Sequence, residues 1–176
     1  MRRQTYMLLA VAAVLLATDC TESTSSAGGK GAANDDLVGA WRGRVRFKTG
    51  DFATLKDLQF MYVFNAGGTM TESSNFDAAP PVPPAYGVWR KTGPRQFLAR
   101  YEFYWTKPPK TFDDVAKGGG WSPGGRGVFL ERIALSEDGN SFTSTMKYDA
   151  FDQAGKPTET GSQAETQVAR MGSDNH

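Results

Sequence analysis

The stretch Leu37–Lys48, LVGAWRGRVRFK, constrains the fold of this chain more than any other. Leu37, Gly39, Trp41, Gly43, Val45 and Phe47 are apolar or glycine, whereas Arg42, Arg44, Arg46 and Lys48 between them are basic. Side chains on a strand point to opposite faces with a period of two, so this is a strand with one dry face and one wet face. Wound into a helix, the same residues would mix arginines and aromatics on one stripe.

The alternation recurs along the chain. Leu58, Phe60, Tyr62 and Phe64 share a face opposite Met61 and Val63, and Asn65-Ala66-Gly67-Gly68 then reads as a hairpin into the polar strand Thr69–Asn75. A proline-rich connection over 77–84 cannot join a central strand. Pairing resumes over Tyr86–Thr92 and turns at Gly93-Pro94-Arg95. In Gln96–Trp105 the residues Phe97, Ala99, Tyr101, Phe103 and Trp105 fall on one side, with Arg100 and Glu102 on the other. Residues 106–124 break the rhythm, with a short helical turn expected at Phe112–Val115. Gly127–Leu135 is apolar on both faces except for Glu131 and Arg132. Ser141–Phe151 points Phe142, Met146 and Tyr148 inward, and Thr158–Met171 places Thr160, Ser162, Ala164, Thr166, Val168 and Arg170 on one face.

About eight strands joined mainly by short turns make an all-β, antiparallel up-and-down meander, which avoids exposed edges by closing into a barrel. A β-sandwich is the alternative fold, but it needs a long crossover that only residues 106–124 could supply. Twenty glycines and nine prolines suit such a turn-rich chain.

Arg2 and Arg3 followed by the apolar run Tyr6–Ala17 read as a secretory signal, shorter than the ~20 residues needed to span a bilayer. Cys20, the only cysteine, follows directly after Leu16-Ala17-Thr18-Asp19. That arrangement resembles the lipobox of bacterial lipoproteins, in which the cysteine is lipidated, although Asp19 stands where the pattern has a small residue. Ordinary signal cleavage after Ser25-Ser26-Ala27 is the rival. The expected organisation is a signal segment over 1–19, a flexible tether over 20–34, the barrel over 35–171 and a polar tail over 172–176. Beyond residue 19 the chain carries eighteen basic and eighteen acidic residues, which gives nothing to steer it to nucleic acid or to any strongly charged partner. The membrane would then be reached only through a lipid on Cys20.

Gly39-x-Trp41 at the start of the first strand, with Arg170 at the end of the last, resembles the lipocalin pattern. The resemblance implies a calycin-type barrel in which the tryptophan plugs one end and the arginine packs across its ring. A guanidinium over an indole gains about 0.5–2 kcal/mol. A second such motif, Gly87-Val88-Trp89, followed by Thr92-Gly93-x-Arg95-x-Phe97, resembles uncharacterised bacterial secreted proteins with a lipocalin-like domain.

Catalytic chemistry has little to work with. The sole histidine, His176, is the last residue given, so neither a triad nor a Cys/His metal site can be composed, and no metal or cofactor is expected. The expected function is binding of a small apolar molecule inside the barrel, among Phe60, Tyr101, Phe103, Met146 and Tyr148. Glu131 and Arg132 are adjacent, so one of them points inward and needs a partner; with Glu102 they are candidate polar anchors, and Glu102 could pair with Arg132 across neighbouring strands. Two alternatives stay open: an isomerase or cyclase resembling the lipocalin-related allene oxide cyclases, and a ligand-free interaction module of the cell envelope with Trp121 as a contact residue.

Overall fold

A computed structural model describes residues 36–77, 82–116 and 120–172. The expected signal segment, the tether, Cys20 and the tail from residue 173 lie outside the described residues. Eight strands follow one another: β1 (Gly39–Phe47), β2 (Gln59–Phe64), β3 (Thr69–Ser74), β4 (Ala85–Gly93), β5 (Gln96–Lys107), β6 (Ser122–Leu135), β7 (Ser141–Asp152) and β8 (Pro157–Arg170). Each pairs antiparallel with the next, and β8 returns to β1, so the sheet is a closed meander barrel rather than a sandwich.

The closure places Trp41 directly opposite Arg170. The guanidinium carbon lies 4.1 Å from the centre of the indole ring. It is held there by donating to the carbonyls of Gly139 (3.0 Å), Val38 (2.7 Å) and Asp36 (2.8 Å). Trp41 is 0% exposed, and its Nε1 donates to the Leu37 carbonyl at 2.9 Å. Gly39 has a positive φ of 135°, and a Cβ on it would lie 2.7 Å from Arg170 Nη1. The glycine of the motif is thus required by the arginine as much as by its own backbone.

The dry face of β1 is inward as expected, with Trp41, Val45 and Phe47 buried, and so are Phe60, Tyr62 and Phe64 of β2. Phe129 on β6 is the hub of the interior. Its ring lies 4.8 Å from Tyr148, 5.0 Å from Tyr101 and 5.8 Å from both Phe60 and Phe103, centre to centre. The small inward residues do not leave empty space. At Gly127 a Cβ would come within 2.5 Å of Phe103 and 2.8 Å of Tyr148, and Gly43 sits directly against Val168. Glycine on one strand and a larger side chain on the adjacent strand fill each other's volume, and the barrel's middle is packed.

The structure departs from expectation in three places. Trp105, the last of the β5 row, is half-buried over Gly124 and stands outside the core, just before a register shift between Trp105 and Thr106. Pairing of Thr106 with Pro123 and Lys107 with Ser122 shortens the irregular connection to 108–121, which carries a short helix, α1 (Phe112–Ala116). On β8 a bulge at Gly161 (φ 75°) opposite Asp149 reverses the faces of the residues before it. Thr160 is therefore exposed, and Glu159 turns towards Ser162 and the backbone N–H of Asp51.

Replacing Arg170 by Met removes the charge, three hydrogen bonds to carbonyls and the cover over Trp41. The expected loss of unfolding free energy is about 2–4 kcal/mol by urea denaturation, with Arg170→Lys recovering only part because one ammonium cannot span three carbonyls.

Candidate functional site

The two ends of the barrel differ. Around Trp41 the strands are joined by the tight turns 65–68, 94–95 and 136–140, and that end is stoppered by the Arg170 side chain. The opposite end receives the longer connections 48–58, 75–84 and 108–121. There a cup of about 50 Å³ opens, walled by Phe47, Phe52, Leu58, Phe60, Phe103 and Phe129. Phe76, Val82 and Pro83 stand at its mouth, and Glu72, Ser74 and Asp77 supply its polar atoms. Among the described residues no lysine or arginine lines it. The cup is far smaller than the ~300–1,000 Å³ of sites that enclose a drug-sized molecule.

Two carboxylic acids are buried inside the barrel. Glu131, 0% exposed, comes from the inward row of β6. The Tyr101 hydroxyl sits 2.9 Å from its Oε2 and 3.2 Å from the Met146 sulfur, and Ser144 Oγ donates to Oε1 at 2.5 Å. Ser144 in turn shares a hydrogen bond with Thr166. Burial pushes the Glu131 carboxyl up to about 7, against the opposing pull of hydrogen bonds from Ser144 and Tyr101 and of the nearby Tyr62 hydroxyl. The Tyr62 hydroxyl itself has no hydrogen-bond partner among the described residues. Burial, followed by the charge of Glu131, raises the phenols of Tyr62 and Tyr101 well above their ordinary value.

Glu72 is the second acid. It lies on the inward row of β3, paired with Tyr62 on β2 and Ala85 on β4, and is 6% exposed. Its Oε1 is buried without a hydrogen-bond partner among the described residues. Burial, and then the carboxylates of Asp77 and Glu131, hold its carboxyl well above the usual range. Asp77 is itself engaged, accepting from the Ser74 hydroxyl and backbone N–H. Glu72 is thus the one acid that both faces the cup and lacks a partner among the described residues.

The residues expected to form a ligand site divide between two places. Phe60 and Phe103 wall the cup, and Tyr148 packs behind it against Phe52 and Phe129. Tyr101 and Met146 belong to the Glu131 network deeper in the barrel. Of the three polar anchors only Glu131 points inward. The expected pairing of Glu102 with Arg132 is overturned: Glu102 lies opposite Val128 on the outer face and pairs with Arg100 (2.6 Å) and Arg126 (3.1 Å). Arg132 lies opposite Leu98 and is exposed. Register, which adjacency along the chain does not reveal, separates them. Glu72, Tyr62, Ser144 and Thr166 went unnoticed as a group. The signal for Glu72 was the period-two row Met70, Glu72, Ser74 within a strand whose polar composition hides which face is dry.

No protein-family model matches the chain, and neither does any curated protein or any solved structure. The reading of the site rests on its own geometry.

An acid whose pKa is raised by folding keeps a proton in the native state that the unfolded chain has already released. Stability therefore falls as pH rises from the unfolded value near 4.5 through about 7, and levels off above. Glu131 accounts for at most roughly 3 kcal/mol of that fall, and Glu72 acts in the same direction. Urea denaturation between about pH 5 and about pH 8 should show the decline in the native protein, a shallower one in Glu131→Gln, and a nearly flat profile in Glu131→Gln/Glu72→Gln.

Proposed function

We propose that this protein is an exported, lipocalin-like barrel that holds a small hydrophobic ligand, or the apolar end of a longer one, in the cup opposite the Trp41–Arg170 plug. The observation that carries this reading is an apolar, phenylalanine-walled opening at one end of a barrel whose middle is otherwise filled. Burying apolar ligand surface against those rings supplies the driving force at about 25 cal/mol per Å². The size of the cup limits the guest to a small molecule or a chain terminus. Export rests on Arg2, Arg3 and the apolar run over 6–17, and attachment to a membrane rests on Cys20.

An isomerase or cyclase would need a set of proton-transferring groups at the substrate. Glu131, near neutrality, does not line the cup, and beside Glu72, which does, the cup's other acid is Asp77, already engaged by Ser74. The interaction-module reading has one observation in its favour. Tyr86 (64% exposed), Val88, Met61 and Val63 lie on the outer face of β2 and β4, the two strands that flank β3.

Methyl-labelled protein titrated with 2-phenylethanol is expected to show saturable shifts at Leu58 and Ala85 in the cup and none at Leu135 and Val168 towards the plug. Ala85→Leu, which extends a side chain into the cup, should abolish the shifts while the protein still unfolds cooperatively. Shifts confined to the outer Val63 and Val88 would favour the interaction module instead.

A further inference from the structure

We propose that the molecule seated in the cup is a hydrophobic amine whose ammonium group is held by Glu72. The inference rests on the cup being a binding site and deepens that reading by naming the chemical class of the guest. Its first ground is the unmatched carboxyl: Glu72 is buried at the cup wall with Oε1 unpartnered, and a buried carboxyl group in that position calls for a donor. The second ground is the sign of everything around it. The titratable groups facing Glu72 are Asp77 after β3, Tyr62 on β2, Tyr101 on β5 and Glu131 on β6, and none of them is a base. The neighbouring residue on β4 is Ala85. Arg170, the cation within the barrel's end layer, is committed to Trp41 at the far end.

A carboxylate-bearing guest, such as a fatty acid entering head first, would meet two acids and, among the described residues, no cation. A neutral donor could satisfy one oxygen. An ammonium satisfies the oxygen, supplies the missing charge, and gains from the faces of Phe47, Phe52, Phe60 and Phe103 that form the wall. The free space suits an ammonium and the first carbons of its stem, with the remainder of the guest passing the mouth at Phe52 and Phe76. The proton balance follows. Burial and the Asp77 carboxylate favour the protonated form of Glu72 in the empty cup, and a docked ammonium favours the ionised form, the proton going to solvent, so that a carboxylate–ammonium pair replaces a neutral acid.

The test uses three probes of one shape, 2-phenylethylamine, 2-phenylethanol and phenylacetate, titrated at neutral pH and low salt by calorimetry and by the cup methyl signals. The amine is expected to bind about tenfold or more tighter than the alcohol, and phenylacetate to bind more weakly than either. Repeating the amine titration in two buffers of different ionisation enthalpy should reveal proton release. Glu72→Gln should bring the amine down to the alcohol's affinity and leave the alcohol unchanged. Because the comparison of probes is made within the native protein, it stands even if that variant does not fold. Equal binding of all three probes at the cup would overturn the amine proposal and leave the cup as a site. So would an amine preference that survives Glu72→Gln. Absence of any response at Leu58 and Ala85 would overturn the cup itself, and the amine proposal with it.

Discussion

The barrel depends on a single meeting of chain ends, the Arg170 guanidinium laid across the Trp41 indole. Strand pairing between β1 and β8 removes the two edges that an open sheet of this length would present to solvent. Pairing alone does not stopper the cylinder. The arginine does so by binding three carbonyls that no strand uses, two before β1 and one in the 136–140 turn. It therefore ties the entering chain, the exit of β8 and the turn before β7 into one layer. Arginine suits this position because its planar fork keeps its charge while several donors are shared out. One end of the barrel is thereby made rigid, and variation in loop length is confined to the other.

Within that closed frame the acids become informative. A buried carboxylate without a counter-charge is costly, and the two acids meet the cost differently. Glu131 on β6 is enclosed in hydroxyls from β5 and β7, with Thr166 on β8 behind them, so the four consecutive strands β5 to β8 are cross-linked by polar contacts. Such a network fixes register, because sliding any one strand by two residues would strand a hydroxyl or the acid. Glu72 has no comparable set, although it sits one strand from Tyr62, whose own hydroxyl is unmatched. One acid looks after structure, and the other faces an opening.

Much of the frame was legible in the sequence because its physics is local. Alternation at Leu37–Lys48 and Gln96–Phe103 announces strands and their dry faces, and the terminal arginine implies closure once the meander is recognised. What was hidden depends on relations between strands. The outward pairing of Glu102 with Arg100 and Arg126 instead of Arg132 follows from register with β6. The reversed faces of Glu159 and Thr160 follow from one glycine bulge, and a single positive φ leaves no mark in a hydropathy pattern. Ring and glycine complementarity between adjacent strands, as between Gly127 and Phe103, decides whether small residues create a cavity or fill one. Glu72 stayed hidden because β3 is polar on both faces, so alternation had no contrast to display.

The filled middle and the unmatched acid bear on each other. A barrel packed with rings around Phe129 offers little adjustable volume, so a guest gains selectivity at the mouth from a few fixed groups. Among those groups Glu72 is the one held at a disadvantage in the empty protein, since an unsatisfied buried polar atom costs about 1–3 kcal/mol. A guest that supplies the missing donor removes that disadvantage as it binds, so part of the stability given up in the empty state returns as affinity. The same group in a fully satisfied network, as with Glu131, could return nothing. The proposed recognition of an amine rests on this difference between the two acids.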